Sequence, residues 1–300
     1  MVELIKGIIS AMQTPMNEDG SLNEEGMRRQ INREIEAGVD AVFCLGTNGE
    51  FYILSMEEKI RIMEIFVEEA KGRVPVYAGT GCVSTADTIY LSKKAEEIGV
   101  DVLSVITPYF AAISQEELLY HYKAVAEAVP NMPLVMYNIP MRTGVTIAPE
   151  TVAELAKIPN IVGVKDSSGK FELILSYIEA GKGQDFAVLS GNDALILDTL
   201  KNGGTGGITA ISNILPEIMV SIYQRYIAGD EAGAREAQDS IAPIRACFKY
   251  GNPNSIVKIA TNLMGHPIGP CRKPFGIVSD EAIAAITECI DTYYAQYKKN

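Results

Sequence analysis

One lysine in this chain stands where covalent chemistry on a carbonyl group is expected. Ile161-Val162-Gly163-Val164-Lys165-Asp166-Ser167-Ser168-Gly169 follows Pro159-Asn160 as a short β-branched run and then turns polar. Such a run between turn residues is a strand signal. Plain alternation predicts Ile161, Gly163 and Lys165 on one face and Val162 and Val164 on the other. The lysine then shares a face with apolar residues where the strand leaves the core. Burial favours a free amine over an ammonium, and a free amine attacks carbonyl carbons. The plainer reading is a lysine that caps the strand with its ammonium in water.

Other reactive types fall at the ends of neighbouring strands. The predicted strand Leu134–Asn138 ends in Tyr137-Asn138, and Arg142 follows in the loop. Adjacent strands lie about 4.8 Å apart, so Tyr137 and Lys165 are expected at one height, the phenol within reach to shuttle protons. Arg142 is either a solvated loop residue or a fork for a carboxylate. Gly46-Thr47-Asn48-Gly49-Glu50 is a tight turn whose glycines allow close backbone approach and whose N–H groups suit an anion such as a carboxylate. It matches neither nucleotide-binding glycine pattern. Ser190-Gly191-Asn192-Asp193 and the glycine-rich Gly203–Ile208 end later strands. The glycines there suit a phosphate, or simply make room at a barrel mouth. His121 and His266 lie away from strand ends and are assigned to structure. With no HExxH pattern and no Cys/His cluster, neither a metal nor another cofactor is expected.

The elements that must position these residues alternate. Strands are predicted at 5–12, 40–45, 74–78, 101–106, 134–138, 161–165, 186–190 and 205–210, each followed by a helix-like segment. Two of the helices open on capping boxes, Ser55 with Glu58 and Ser114 with Glu117. Eight consecutive βα units match a (β/α)₈ TIM barrel of roughly 250 residues better than an open doubly wound sheet. The barrel is assigned to 1–229. A C-terminal helical extension takes 230–300, with helices at about 231–248, 254–264 and 280–298.

Composition narrows the function. The chain has 300 residues, 26 basic against 38 acidic side chains, and a net charge of −12. That balance, with no basic run, argues against nucleic acid or an anionic membrane as partner. No apolar stretch is long enough to span a membrane, and no leader-like N-terminus is visible. Five scattered cysteines without a CxxC pair point to reduced thiols and a cytoplasmic protein.

Taken together, several motifs carry a resemblance. Thr14-Pro15, GTNGE at 46–50, TPY at 107–109, YNIPMRTG at 137–144, GVKD at 163–166, SGND at 190–193 and GPCRKP at 269–274 cover nearly the whole chain. The chain resembles the dihydrodipicolinate synthase / N-acetylneuraminate lyase family of pyruvate-dependent class I aldolases. The resemblance implies that Lys165 forms a Schiff base with pyruvate, that Tyr137 shuttles protons, and that Thr47 and Asn48 hold the pyruvate carboxylate. It further implies that Gly191 and Ile208 line the pocket through backbone groups. The substrates implied are pyruvate and an aldehyde, or a 2-oxo acid in the cleavage direction. The assembly implied is a homotetramer, a dimer of dimers, with Tyr109 and Phe110 at an interface near the site.

Three departures bear on the substrate. The aromatic pair here is Tyr109-Phe110, which lacks the second hydroxyl that usually joins a relay with the neighbouring subunit. Asn48 replaces the second threonine of the common GTTGE. GVKDSSG looks more like sugar-acid aldolase members than the GIKEATG common in the synthase. Against these, Arg142 stands where the synthase binds the carboxylate of aspartate semialdehyde. Dihydrodipicolinate synthase is therefore the nearest activity. A 2-keto-3-deoxy sugar acid aldolase or N-acetylneuraminate lyase is the alternative, followed by a non-catalytic 2-oxo-acid-binding paralogue. Phe51, Tyr52, Met56 and Val83 occupy positions that hold feedback lysine in some synthases, so lysine inhibition is not expected.

Overall fold

The structure, a computed structural model, describes residues 2–299. Eight parallel strands close into a barrel in chain order: β1 (Gly7–Ala11), β2 (Ala41–Cys44), β3 (Val76–Gly79), β4 (Val102–Ile106), β5 (Leu134–Asn138), β6 (Ile161–Asp166), β7 (Ala187–Ser190) and β8 (Gly206–Thr209). The outer ring comprises α1 (Glu24–Glu36), α2 (Met56–Ala70), α3 (Thr85–Ile98), α4 (Gln115–Ala128), α5 (Pro140–Thr143), α6 (Pro149–Leu155), α7 (Phe171–Ala180), α8 (Ile196–Lys201) and α9 (Pro216–Ile227). Both predicted capping boxes form, opening α2 and α4. The four-residue α5, just after β5, escapes the sequence pattern because it is too short to show a helical period. No helix among the described residues is long and apolar enough to cross a membrane.

Two apolar layers hold the barrel. Ile9, Phe43, Tyr77, Val135, Val162 and Leu189 fill its interior, and a larger cluster packs the outer strand faces against the helices. The placement of Ile161 and Val162 overturns the plain alternation predicted for β6. Ile161 pairs with Leu134, but the next partner pair is Val135 with Gly163, so Val162 is an extra residue. Val162 packs inside and Ile161 outside. This β-bulge places two consecutive residues, Val162 and Gly163, on the inner face, after which Val164 points out and Lys165 in. A Cβ at Gly163 would approach the Ala187 carbonyl to 2.7 Å, so the bulge tolerates no side chain there.

The glycines of β8 serve close packing. Gly206 pairs with Gly7 across the β8–β1 seam, where an added Cβ would meet the Gly7 carbonyl at 2.0 Å. At Gly207 a Cβ would strike the Ile196 side chain of α8.

The C-terminal extension is α10 (Glu231–Ser240), α11 (Ala242–Ala246), α12 (Pro253–Leu263) and α13 (Asp280–Tyr293). The single helix predicted at 231–248 is instead broken near Ile241. Pro243, which has no N–H to donate, sits in the first turn of α11, and the chain continues as a tight turn over Cys247–Tyr250. The last predicted helix stops at Tyr293 rather than 298, with a separate short turn at Ala295–Tyr297.

This extension is tied to the barrel mouth by buried polar contacts. Lys258 of α12 donates to Glu50 at 2.7 Å and to the Thr14 carbonyl at 2.8 Å, with both charged side chains almost wholly buried. The second Glu50 oxygen accepts the Arg272 backbone N–H at 2.9 Å. Arg272 in turn spends its guanidinium on Glu58 and the Gly20 and Ile53 carbonyls. An ion pair this deep is tolerable only because its remaining lone pairs and protons are used.

Candidate active site

Lys165 ends β6 inside the barrel mouth, 4% exposed, and its partner across the β5–β6 ladder is Tyr137. The predicted equal height is therefore met. The contact differs in detail: Lys165 Nζ lies 4.1 Å from the centroid of the Tyr137 ring and 5.5 Å from that of Phe43. The amine rests on aromatic faces, which attract a cation through their quadrupoles. Among the described residues no carboxylate pairs with it. The Tyr137 hydroxyl is turned to Thr47 Oγ1, 3.3 Å away. Amine, phenol and threonine hydroxyl thus lie in sequence along one wall, with the phenol in the middle.

Thr47 and Asn48 sit in the turn after β2. The residues bearing its unusual backbone angles are Leu45 and Glu50, with φ of 59° and 57°, rather than the glycines. The glycines supply space: a Cβ at Gly46 would press on the Phe43 ring, and one at Gly49 on the Met12 carbonyl. Asn48 Nδ2 donates to the Ala11 carbonyl at 3.3 Å, and the Thr47 carbonyl accepts from Asn254 Nδ2 at 2.8 Å. Glu50, held by Lys258, anchors the end of the turn.

Gly191 follows β7 directly opposite the lysine. A Cβ there would lie 2.0 Å from Ser167 Oγ and 2.8 Å from Lys165 Cε, so only glycine leaves the lysine stem in place. Ile208 completes the barrel floor from β8. These residues line a cavity of about 390 Å³ that also takes in Arg142, Asp193 and Arg245. A smaller, mainly apolar cavity of about 210 Å³ adjoins it, walled by Phe51, Tyr52, Tyr109 and Phe275 and sharing Thr47 and Arg142. Its rings meet edge-to-face, Tyr109 on Phe51 and Phe275 on Tyr52. Of the predicted residues only Phe110 lines neither cavity. It is 98% exposed with φ of 82°, a left-handed backbone that a bulky residue rarely adopts.

Asp166 turns away from the cavity. It accepts from Asn138 Nδ2 and Ser168 Oγ, each at 2.6 Å, and Asn138 in turn accepts the Ile147 N–H. Burial raises its carboxyl above the usual range even though those bonds pull the other way. The aspartate of GVKD thus organises the back of β5 and β6, and has no contact with substrate space to support a sugar-acid preference. His121 is buried outside the site, with Nδ1 3.0 Å from Thr85 Oγ1, and burial lowers its pKa to about 4.

Sequence reasoning missed Ser167, Asp193, Asn254 and Arg245 as lining residues. Ser167 and Asp193 were within reach of it, since they lie two and three residues past predicted strand ends. Asn254 and Arg245 come from the extension, over 200 and 100 residues respectively from Thr47 and Arg142 in sequence. No spacing rule links them to the barrel mouth.

The comparisons agree with this geometry. The family model described as the dihydrodipicolinate synthetase family matches residues 4–292. The chain is 42% identical over 273 residues, 90% of each chain, to a 4-hydroxy-tetrahydrodipicolinate synthase of Methanopyrus kandleri. The crystal structure of dihydrodipicolinate synthase from Aquifex aeolicus superposes with a TM-score of 0.93 at 32% identity, covering 98% of this chain and 100% of that one. YagE, an Escherichia coli K12 prophage protein crystallised with pyruvate, gives 0.93 at 32% identity over 97% and 99%. A closed eight-stranded barrel, a lysine at the mouth of its sixth strand and these likenesses along nearly the full chain lead to one conclusion: the chain belongs to the dihydrodipicolinate synthetase family.

Proposed function

We propose that this protein is a Schiff-base-forming synthase that joins pyruvate to an aldehyde, with 4-hydroxy-tetrahydrodipicolinate synthase as its activity. The observation that carries the reading is the Lys165 amine, held in the barrel mouth without a carboxylate partner and in contact with Tyr137.

In this reading Lys165 Nζ adds to the keto carbon of pyruvate, giving a carbinolamine that expels water and becomes an iminium ion. The iminium accepts the electron pair left when a methyl proton departs, giving an enamine. The enamine carbon then attacks the aldehyde carbon, and the aldehyde oxygen takes up a proton. The amino group of aspartate semialdehyde then adds to the regenerated iminium carbon, or water does for an aldehyde without one, and the carbon–Nζ bond breaks as the lysine amine leaves with a proton. Tyr137 carries protons between these groups, with Thr47 at 3.3 Å as the next station. Thr47, Asn48 and the amides of their turn hold the pyruvate carboxylate. Gly191 and Ile208 contribute backbone walls beside the lysine. Arg142 makes one hydrogen bond, Nη2 to Asn252 Oδ1 at 3.1 Å, and its remaining donors are free to take the carboxylate of the aldehyde.

The assembly belongs to the same proposal: a cytoplasmic homotetramer in which Tyr109 and Phe110 meet a neighbouring copy. A fully exposed phenylalanine in a left-handed backbone is costly for a lone chain, and burial against a second copy offsets that cost. Phe110 has no hydroxyl, so the proton relay ends at Thr47.

The test is borohydride reduction in the presence of pyruvate, followed by intact mass and peptide mapping, then turnover with aspartate semialdehyde. A pyruvyl adduct on Lys165 with product formation is the expected result. A folded protein that gives no adduct in ample pyruvate overturns the reading.

A further inference from the structure

The arginines of this chain divide by how they spend their donors. Arg272 and Arg33 use theirs on carbonyls and carboxylates. Arg61 and Arg28 pair with two or more glutamates. The two that line the large cavity, Arg142 and Arg245, make one side-chain hydrogen bond each among the described residues. Arg142 makes the single bond to Asn252. The Arg245 side chain makes one long hydrogen bond, Nη1 to Asp193 Oδ2 at 3.5 Å, and lies over the Phe248 ring 5.9 Å from its centroid, with no other hydrogen-bond partner among the described residues.

Asp193 does not depend on that contact. Its other oxygen accepts from Thr209 Oγ1 and from the N–H groups of Ala210 and Ile211. Nor do the two arginines stand together. Arg142 lies on the side shared with the aromatic cavity. Arg245, on α11, lies on the side shared with a shallow recess between the Ala194 turn and α10. An acidic protein with 38 carboxylates to draw on has left two guanidiniums short of partners on two sides of one chamber.

We propose that Arg245 is a specificity-determining residue. It forms a second anion-binding fork that grips the carboxylate of the aldehyde from the side opposite Arg142, the two together selecting a short aldehyde whose far end carries a carboxylate. The proposal rests on the Schiff-base reading above. A planar guanidinium with unspent N–H pairs takes a carboxylate in a two-point contact, and Asp193 keeps it oriented without consuming it. The deep turn at Thr47 and Asn48 takes the carboxylate of pyruvate, so Arg245 meets only the acceptor. It acts on which aldehyde is chosen and not on formation of the iminium.

The test compares succinate semialdehyde with butanal, four-carbon aldehydes that differ by the carboxylate, in the wild type, Arg245→Met and Arg245→Lys. Arg245→Met is expected to raise the KM for succinate semialdehyde roughly 10- to 100-fold, the range for losing a hydrogen bond to a charged group. The KM for pyruvate, turnover of butanal and the borohydride-trapped adduct on Lys165 stay unchanged, and Arg245→Lys recovers part of the loss. If Arg245 only neutralises Asp193, both aldehydes suffer alike, and that result overturns the proposal. So does an unchanged KM in Arg245→Met, or a wild type that forms the adduct yet shows no preference for the anionic aldehyde. Absence of the adduct in the wild type is a different failure, that of the Schiff-base reading itself.

Discussion

Lys165 and Tyr137 stand on adjacent hydrogen-bonded strands, whereas Arg142 and Arg245 stand on helices of four and five residues hung on the rim. The first pair is nearly inaccessible to water and cannot move without disturbing the ladder. The second pair is held by one side-chain hydrogen bond apiece. In the proposed reading, chemistry common to every substrate is built into the sheet, and choice of substrate into elements that can change without touching it. Between them sits the turn of Thr47 and Asn48, which follows a strand yet is clamped from the extension by Asn254 and Lys258.

The division is tested most severely at the floor. Lys165→Ala is expected to abolish the pyruvyl adduct and lower turnover on the order of 10⁴-fold or more, with an unchanged circular dichroism spectrum. Tyr137→Phe keeps the ring under the amine but removes the proposed proton carrier. A fall in kcat of about 10²- to 10⁴-fold is expected, with adduct formation slowed but not lost, as followed by time-resolved trapping. A full-rate Tyr137→Phe enzyme would remove the phenol from the mechanism.

The clamp comes next. Lys258→Met leaves Glu50 buried without its counter-ion, which costs about 3–5 kcal/mol of stability by denaturant titration. If the loss is instead under about 1 kcal/mol, the extension is not what holds the turn. At the rim, Arg142→Met should raise the KM of an anionic aldehyde roughly 10- to 100-fold and leave pyruvate untouched. An equal effect on pyruvate would erase the boundary between floor and rim.

The smallest effect belongs to a group in neither region. Glu34 of α1 is fully buried, and burial, only partly offset by Arg33 3.6 Å away and by the nearby Ser10 and Ser212 hydroxyls, raises its pKa to about 7. Its folded pKa lies above the unfolded value. The folded state therefore binds the extra proton between the two, and stability falls as pH rises through that window. A loss of about 1 kcal/mol is expected between about pH 6 and 8, absent in Glu34→Gln, with turnover per folded molecule unaffected.

How far these features were legible in the sequence follows the same boundary. The strands, their order and the residues at their ends could be read because a period of two and a few turn residues are local signals. Lys165, Tyr137 and the turn of Thr47 were placed that way, whereas the pocket role of Gly191 came from the resemblance. The inward face of β6 was misread at Ile161 because a bulge is set by pairing with β5, which lies outside the strand's own pattern. Arg245 and Asn254 were invisible because they reach the mouth only after the last helices fold back over it. Pro243 was the one local clue that the predicted 231–248 helix would break, and it lies two residues from Arg245.

The bulge at Val162 makes β6 a counting device. Because two successive residues face inward there, Ile161 and Lys165 face opposite sides of the sheet although an even number of positions separates them. Straightening the bulge at constant length, with Ile161 still on the helix side, would swing Lys165 to that side too, whereas deleting Val162 would restore regular alternation and keep the amine inside. Surface loops can gain or lose residues with little penalty. In this strand the facing of the amine depends on the bulge and the residue count together, so straightening it without a deletion would silence the proposed chemistry.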